Sequence, residues 1–484
     1  MNNGASMNAS APYAPHIMRL WRLGTWALVL GLVFGIVLLG YLTWSIEEYV
    51  GLFAVVPIAL FAVPFLLKRP DLFLYTTLAG FVVITSREAG VQLTEAIYGL
   101  LFLGYLASWY FTEVFLKESR LIYTKTDWAL FLFLSYAFLS ASWAMLFGAS
   151  LSVIVGEVLI LIMMAFYFPI ASLIRKHPDK VKYILLILAW IGVYVSIRNI
   201  LEYRSDLSAA EKLYHVLSGR VALNEVLLMM PALGALTFLL YAKQWNHRIV
   251  LAGLFILFFA CLIVTQSRGY WLAFFLGAFA LFLLIDLRRK VTIMVLFASG
   301  IAGFVSIGFL IFPAYAPLVL KGMIERFTSL GTAITSDLSL VNRFYESMAV
   351  WEYIKANPIL GYGIGTPYEY FNIISDHNRV WAFIHNGYLG MWYKYGIIGL
   401  SLLLFFWFSS IWHGIKLFRT RDLPIFYRVT ALACAVCLIG ETLVANTSTP
   451  FQSEDPTLMI TMMAAIILGL RMATSTTTAA KPAA

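Results

Sequence analysis

The sequence predicts an all-α fold, a polytopic membrane bundle of about 14 (12–14) transmembrane helices with one long periplasmic loop that contains helices. Of the 484 residues, 61% are hydrophobic and only 12% are charged, about half the charged fraction of a typical soluble domain. The apolar residues form blocks of about 17 to 25, enough for a helix to cross ~30 Å of hydrocarbon. Lys and Arg residues concentrate in every second connection between blocks, as the positive-inside rule requires.

The apolar blocks follow one another along the whole chain. We expect spanning helices at residues 24–44, 50–67, 71–85, 96–116, 128–147, 151–174, 183–201, 222–242, 249–265, 270–285, 291–312, 387–412, 429–446 and 457–471. Arg19 and Arg22 precede the first block, and no small-residue cleavage site follows it, so this block is expected to be an anchor. An even number of spans places both termini in the cytoplasm.

These blocks divide the chain into five parts. We expect a cytoplasmic segment at 1–23, a bundle of about 11 spans at 24–312 with an outer loop at 202–221, a long periplasmic loop at 313–386, three more spans at 387–471, and a disordered tail at 472–484. Within the long loop, residues 342–357 predict an amphipathic helix, with Phe344, Met348 and Trp351 near one face and Arg343 and Glu346 elsewhere. Pro358 ends this helix, and a flexible glycine-rich turn is expected at 360–365.

Several functional classes are disfavoured. The net charge of +9 reflects the cytoplasmic connections, and no basic run is longer than Arg288-Arg289-Lys290, so we expect no nucleic-acid partner. Cys434 and Cys437 lie in an apolar block, where packing is the expected role. The chain has no His-Glu-x-x-His, Asp-x-Asp, phosphate-binding loop or Gly-x-Ser-x-Gly motif, so we expect neither a metal nor another cofactor.

Some ionisable residues lie within or beside the apolar blocks, where a charge is costly unless it faces protein or water. They are Glu95, Glu157, Arg198, Glu225, Arg268, Lys394 and Glu441. All fall in the outer half of their predicted spans, which indicates a polar cavity open to the outside. We expect Glu95, Arg198 and Lys394 to reach the bilayer surface. Glu157 and Glu441 lie deeper, and either bind substrate or pair with a nearby Arg.

Three residues are candidates for chemistry. Arg268 and Arg220 lie where outer connections enter the bilayer, and their guanidinium groups suit a lipid-linked phosphate. His385 lies where the long loop enters a span, and histidine is the usual proton acceptor near neutral pH. The alternative is that these side chains cap helices or contact lipid headgroups.

The second half of the chain resembles the O-antigen ligase and polymerase superfamily. The resemblance covers residues 200–400. It rests on Arg220, the Ser267-Arg268-Gly269 turn, Asn342-Arg343, Trp351, Asn357-Pro358-Ile359-Leu360-Gly361-Tyr362-Gly363-Ile364-Gly365, His385-Asn386-Gly387-Tyr388-Leu389 and Tyr395-Gly396-Ile397-Ile398-Gly399-Leu400.

This resemblance implies a metal-independent glycosyltransferase of the bacterial inner membrane with a periplasmic active site. Its donor would be a glycan on undecaprenyl diphosphate, and its acceptor a hydroxyl of a lipid A–core sugar or of another glycan. Arg220 and Arg268 would hold the diphosphate, and His385 would activate the acceptor. The candidates for substrate binding are Arg343, Asn386, Tyr388, Glu157 and Glu441.

Alternatives to a ligase stay open. The enzyme could be a repeat-unit polymerase or a protein O-oligosaccharyltransferase, since the acceptor is not visible in one sequence. A non-enzymatic polysaccharide transporter or flippase would place charges at the membrane midplane and interrupt helices in repeated halves, and neither pattern is clear here. A scaffold of an envelope complex would tolerate substitution of Arg220, Arg268 and His385.

Overall fold

The computed structural model describes residues 65–85, 93–209, 224–311 and 338–479, together with Pro317, Lys321 and Ile324. The chain forms two compact units, Met1–Thr76 and Thr77–Ala484, and the second contains the candidate site and the cavity discussed below. Its described part is almost entirely helical.

The described elements follow the predicted blocks closely. The helices are α1 (Pro70–Ala79), α2 (Leu93–Tyr110), α3 (Lys125–Ala144), α4 (Leu151–Ile162), α5 (Tyr167–Lys176), α6 (Val181–Ala209), α7 (Val226–Leu239), α8 (Trp245–Val264), α9 (Arg268–Leu284), α10 (Leu287–Ile311), α11 (Leu338–Ala356), α12 (Gly387–Arg419), α13 (Ile425–Val444) and α14 (Glu454–Ala479). Two strands, β1 (Tyr368–Asn372) and β2 (His377–Trp381), pair antiparallel. Short 3-10 or π turns continue or join some helices at Gly80–Thr85, Phe111–Leu116, Met145–Phe147, Met163–Phe166, Pro178–Lys180 and Pro450–Gln452.

Among the described residues, eight helices are long and apolar enough to cross a membrane. They are Tyr98–Leu116, Lys125–Phe147, Leu151–Lys176, Pro178–Ser205, Trp245–Val264, Gly387–Arg419, Ile425–Val444 and Glu454–Thr474. The predicted class, an all-α polytopic membrane protein, is thereby confirmed, whereas the count of about 14 spans stays a prediction. The predicted span at 24–44 and most of the one at 50–67 lie outside the described residues.

The block predicted as one span at 151–174 consists of two helices, α4 and α5, with a 3-10 turn between them. Pro169 explains this break. Proline has no N–H to donate to the carbonyl four residues earlier, and its ring crowds that carbonyl. The carbonyl belongs to Ala165, and it accepts a hydrogen bond from the Tyr110 hydroxyl at 2.8 Å.

Helix α12 is broken at Gly396. The φ of 59° and ψ of −173° of this residue fall in a region that is essentially restricted to glycine. The turn that follows α11 fits into the break and satisfies the backbone groups that the break leaves open. Its hydrogen bonds run from Tyr362 N to Tyr393 O and from Gly363 N to Lys394 O, both at 2.8 Å, and from Ile397 N to Pro358 O at 2.9 Å.

Where this turn comes closest to α12, only glycine fits on either side. A Cβ on Gly361 would lie 2.4 Å from the Gly396 nitrogen, and a Cβ on Gly396 would lie 1.9 Å from the Ile359 oxygen. The turn at 360–365 is therefore not the flexible segment that we expected. Its first part is bonded to α12, and Ser140 on α3 and Glu157 on α4 accept the N–H groups of Ile364 and Gly365.

The predicted helix in the long loop is present as α11, but its buried face differs from the predicted one. Phe344, Met348 and Trp351 are exposed, whereas Glu346 and Val350 are buried. The hairpin of β1 and β2 was not predicted, and it packs with α11 on the start of α12. The shared apolar cluster consists of Val350, Ile354, Tyr368, Tyr370, Ile384 and Tyr393. At the turn of the hairpin, Asn372 Oδ1 accepts the N–H groups of Ile374 at 2.9 Å and Ser375 at 3.1 Å.

The C-terminal region differs from its prediction. Helix α14 continues through Arg471 to Ala479, so the tail that we expected to be disordered from residue 472 is helical up to that point. The last residues, 480–484, lie outside the described part.

Candidate active site

His385 lies just before α12, and a carboxylate from α11 holds its imidazole. His385 Nδ1 lies 2.7 Å from Glu346 Oε2, and the His385 backbone N–H donates to Glu346 Oε1 at 3.0 Å. The Glu346 side chain is 1% exposed, whereas the His385 side chain is 36% exposed. The imidazole is therefore accessible while the group that orients it is enclosed.

Glu346 has a third partner, Tyr368 on β1. The Tyr368 hydroxyl lies 2.5 Å from Glu346 Oε1 and 2.9 Å from the Phe383 oxygen. Burial, and next the negative charge of Glu346, raise the pKa of Tyr368 above its usual value. The hydroxyl therefore keeps its proton near neutral pH and donates a hydrogen bond to the carboxylate.

Sequence reasoning missed this role of Glu346 and Tyr368. Glu346 was placed only on a polar side of the amphipathic helix, although a carboxylate three residues after Arg343 in that motif was a usable signal. Its pairing depends on a hairpin and a helix start that come 22 and 39 residues later in the chain.

The loop at residues 445–450, after α13, supports the start of α12. The Gly387 N–H donates to the Ala445 oxygen at 2.7 Å, and the Thr449 hydroxyl donates to the Ile384 oxygen. Arg343 Nη1 donates to the Thr447 oxygen at 2.7 Å. Arg343 and the residues that flank His385 are therefore bonded to the same short loop, which the sequence did not single out.

Arg268 begins α9 beside this loop. Its neighbour Gly269 faces Thr447 so closely that a Cβ on it would lie 3.1 Å from Thr447 Oγ1. The backbone at Arg268, the Arg343 side chain and the start of α12 after His385 thus all adjoin the 445–450 loop. Of the residues predicted to carry chemistry, these are the ones that the fold brings to one end of the bundle.

The turn before Arg268 is tightly held. Gln266 has a φ of +53°, a conformation that non-glycine residues adopt mainly where the surroundings enforce it. Gln266 and Ser267 are 3% and 7% exposed. Among the residues that the structure describes, the buried Gln266 Oε1 has no hydrogen-bond partner, and an unpaired buried oxygen of this kind is uncommon.

Arg220 lies outside the described residues, so its position relative to Arg268 stays a prediction. The residues that flank this gap form a polar network. Arg198 Nη2 donates to Asn224 Oδ1 at 2.5 Å, and the Asn224 amide donates to Asp455. Arg198 also lies 3.5 Å from Glu202, with its side chain 15% exposed. Our expectation that Arg198 reaches the bilayer surface is wrong, because its guanidinium group is paired with Asn224 and Glu202 inside the protein.

Two further candidates have clear local partners. Asn386 is the N-cap of α12, and its Oδ1 accepts the Leu389 N–H at 3.1 Å. The Tyr388 hydroxyl donates to the Thr442 oxygen at 2.8 Å and so joins α12 to α13. Both contacts position α12, and a role in substrate binding stays a prediction.

Glu157 forms a buried ion pair with Lys394, which is 0% exposed. Glu157 also accepts the Gly365 N–H at 3.0 Å and a Gln452 amide N–H at 3.1 Å. We expected Lys394 to reach the bilayer surface, and this is wrong because its side chain is enclosed by the bundle. Glu157 is therefore paired, as one alternative predicted, but its partner is Lys394 and not an arginine.

Glu441 on α13 is 0% exposed. Within the described part of the chain, neither of its carboxyl oxygens has a hydrogen-bond partner. Its helix packs on α9, since a Cβ on Gly440 would lie 2.8 Å from the Ala273 oxygen. Glu441 is therefore a buried polar group without an evident structural role. The side chain of Glu95 lies outside the described part.

No group of three or more His, Cys, Asp or Glu residues that could hold a metal ion occurs in the described ranges. Cys434 and Cys437 are buried and unpaired with each other, and Cys437 Sγ lies 3.3 Å from the Met230 oxygen. As expected, this pair packs inside the bundle.

The helical bundle and the polar groups at one end of it define a multi-pass membrane protein with a candidate site where α9, α11, α12 and α13 meet. Residues 252–404 match the family model described as O-antigen ligase, and this match confirms the predicted resemblance of this part of the chain to the O-antigen ligase and polymerase superfamily. The matched segment contains Arg268, Arg343, Glu346 and His385. No curated protein matches the chain significantly. The family supports, in broad terms, a membrane glycosyltransferase of surface polysaccharide biosynthesis.

Proposed function

We propose that the protein transfers a glycan from undecaprenyl diphosphate to an acceptor hydroxyl on the periplasmic face of the bacterial inner membrane. The observation that carries this proposal is the accessible imidazole of His385, held by the buried Glu346, at the loop to which Arg343 is bonded and on which Arg268 borders. The alternation of basic residues along the chain supports the periplasmic location of this end.

The contact with Glu346 supports a general-base role for His385. A carboxylate at 2.7 Å from Nδ1 favours the tautomer with the proton on Nδ1, and the lone pair of Nε2 is then free to accept a proton. The 36% exposure of the side chain leaves room for an acceptor hydroxyl beside it. General-base assistance of this kind contributes a factor of roughly 10²–10⁴ to the rate.

The arginines suit the leaving group. In the proposed step, the acceptor hydroxyl gives its proton to His385 Nε2, and its oxygen bonds to the anomeric carbon. The bond from that carbon to the diphosphate oxygen breaks, the electron pair stays on the diphosphate, and the anomeric configuration inverts. Arg268 and Arg220, with Arg343 nearby, would stabilise the added negative charge, because guanidinium groups bind phosphate oxygens in pairs and keep their protons.

Glu441 and Gln266 are the further candidates for contact with the substrate. Each has a buried oxygen that lacks a partner among the described residues, and each lies on an element next to Arg268. Sugar hydroxyl groups are suitable donors to such oxygens. A metal ion or another cofactor has no part in the proposed step.

The test is transfer by purified protein from a lipid-diphosphate glycan, without any ion gradient. We expect His385→Ala and Arg268→Ala each to lower the transfer rate by roughly 10²-fold or more, while both variants insert into the membrane normally. The matched controls are His377→Ala on the exposed strand β2 and Arg288→Ala at the other end of the bundle, which should transfer at the wild-type rate. Wild-type rates in both His385→Ala and Arg268→Ala would overturn the proposal, and a gradient requirement would favour a transporter.

The acceptor is identified by the glycolipids of a deletion strain. A ligase acts after polymerisation, so its loss leaves lipid-linked polymer in the membrane. A polymerase acts earlier, so its loss leaves single lipid-linked repeat units. Loss of glycan from proteins alone would identify a protein O-oligosaccharyltransferase.

A further inference from the structure

A cavity of about 660 Å³ lies between α6, α7, α8 and α13, and its deep end reaches α14. It is remote from the candidate active site. His247, in the first turn of α8, lines the cavity, whereas Arg268 follows the last turn of the same helix. The 20 residues of α8 separate the two by ~30 Å at 1.5 Å per residue.

The cavity opens sideways between spanning helices. At its mouth, Leu186, Val250 and Ile425 are 64%, 60% and 45% exposed, and a membrane would cover these apolar side chains with lipid. At its deep end, Met230 and Met459 are each 1% exposed. The lining is almost wholly apolar, and its volume is within the range of ligand-binding pockets, about 300–1,000 Å³.

The charge on the lining is confined to one end. Lys182, Lys243 and His247 line the cavity near the starts of α6, α8 and α13. Among the described residues that line it there is no Asp or Glu. The Lys182 ammonium lies 4.9 Å from the Tyr183 ring centroid, and no acidic partner of Lys182 occurs in the described part. This end therefore suits a negative group and the remainder suits a hydrocarbon chain.

The depth of the cavity corresponds to one leaflet. Along α13, the lining runs from Ile425 to Cys437, a rise of ~18 Å at 1.5 Å per residue. Half of the ~30 Å hydrocarbon core is ~15 Å. On the predicted topology, Lys182 and Lys243 face the cytoplasm, so the leaflet concerned is the inner one.

We propose that this cavity binds an anionic phospholipid of the inner leaflet, with an acyl chain between α7, α8 and α13 and the headgroup phosphate between Lys182 and Lys243. Such a lipid would fill the space that α6, α7, α8 and α13 leave between them. This proposal concerns the end of the protein opposite the glycan-transfer site and does not depend on the proposed reaction.

A matched pair of glycines tests the position of the chain. Gly234 lines the cavity and Gly253 does not, and a Cβ at either position would meet no atom within 4 Å. Gly234→Phe should fill the cavity, and Gly253→Phe should only add a ring on the exposed face of α8. In native mass spectrometry after detergent purification, we expect the wild type and Gly253→Phe to retain phosphatidylglycerol, and Gly234→Phe to retain about tenfold less, since 1.4 kcal/mol corresponds to that factor.

The headgroup is tested by charge reversal. The double variant K182E/K243E should also lose at least about tenfold in phosphatidylglycerol binding, since each basic residue near an anionic headgroup contributes about 1 kcal/mol. Its control is R288E/K416E, two basic residues that do not line the cavity. In nanodiscs, phosphatidylglycerol should raise the Tm of the wild type and phosphatidylcholine should not. Equal retention by the wild type, Gly234→Phe and K182E/K243E would overturn the proposal, as would equal stabilisation by both lipids or retention of a polyprenyl lipid in place of a phospholipid.

Discussion

At the scale of single residues, Glu346 is the buried side chain that holds the candidate site together. It is 1% exposed, and it contacts the imidazole and the backbone N–H of His385 as well as the hydroxyl of Tyr368. A buried carboxylate is tolerated only when its oxygens are paired in this way. The side chain that touches the substrate would be His385, and Glu346 would act through it as a positioning residue.

Substitution of Glu346 separates positioning from substrate binding. Glu346→Gln keeps the shape of the side chain, but its amide can turn a donor N–H towards Nδ1 and so favour the wrong tautomer of His385. We expect kcat to fall by roughly 10²-fold or more with little change in KM for the donor. The control on the same helix is Glu352→Gln, since Glu352 pairs with Lys355 at the surface. A rise in KM with an unchanged kcat would contradict the positioning role.

At this scale the sequence predicts some residues of the candidate site and misses others. Arg268, Arg343 and His385 were found because each stands at an element boundary or in a family motif. Glu346 was missed because the pattern of one helix shows which residues are polar and not what covers them. Lys394 and Arg198 were assigned to the bilayer surface for the same reason, although their partners Glu157 and Asn224 are 237 and 26 residues away in the chain.

At the scale of elements, the break of α12 is the feature that orients the candidate site. His385 lies just before its first segment, and the turn after α11 occupies the break. Gly396 has a backbone conformation that other residues cannot adopt without a cost of about 1–3 kcal/mol. A Cβ there would also overlap the Ile359 oxygen.

Replacement of Gly396 by alanine tests this arrangement. We expect Gly396→Ala to be destabilised by at least about 3 kcal/mol, the sum of the conformational cost and the displacement of the turn. The control is Gly104→Ala in α2, where a Cβ meets no atom within 4 Å and where alanine should be neutral or favourable by up to about 1 kcal/mol. The measurement is the Tm of each variant in detergent. Similar Tm values for Gly396→Ala and the wild type would mean that the break is not needed.

Helix positions were predictable at this scale because apolar blocks of spanning length leave few alternatives. The hairpin was not predictable, since five-residue strands with Glu369, Asn372 and Asn378 among them carry a weak strand signal. The 3-10 turn at Met163–Phe166, shortly before Pro169, shows that one proline can interrupt the α-helical hydrogen bonds within a continuous apolar span.

At the scale of the whole molecule, the ion pair of Glu157 and Lys394 joins parts of the chain that are 237 residues apart. It links α4 to α12 inside the bundle, and Glu157 also holds Gly365 and Gln452. Removal of one member leaves a charge without its partner in a poorly solvated interior, which typically costs about 3–5 kcal/mol. Removal of both members costs less than the sum, because no lone charge remains.

A double-mutant cycle measures this coupling. We expect Glu157→Gln and Lys394→Met to lower Tm strongly when made singly, and the double variant E157Q/K394M to recover part of the loss. The control cycle uses the exposed pair Glu352 and Lys355, where the coupling should stay below about 1 kcal/mol. Strictly additive losses at Glu157 and Lys394 would show that the two residues stabilise the bundle independently.

The turn at residues 358–363 fits into the break of α12, and this limits which segments can be exchanged between related proteins. The loop and the helix are complementary, because Gly361 and Gly396 leave no space for a Cβ on either surface. A chimera that receives the long loop from another family member must therefore receive the matching segment around residues 393–397 as well. Loop grafts designed without that segment would fail through misfit at the junction, whatever acceptor specificity the graft was meant to import.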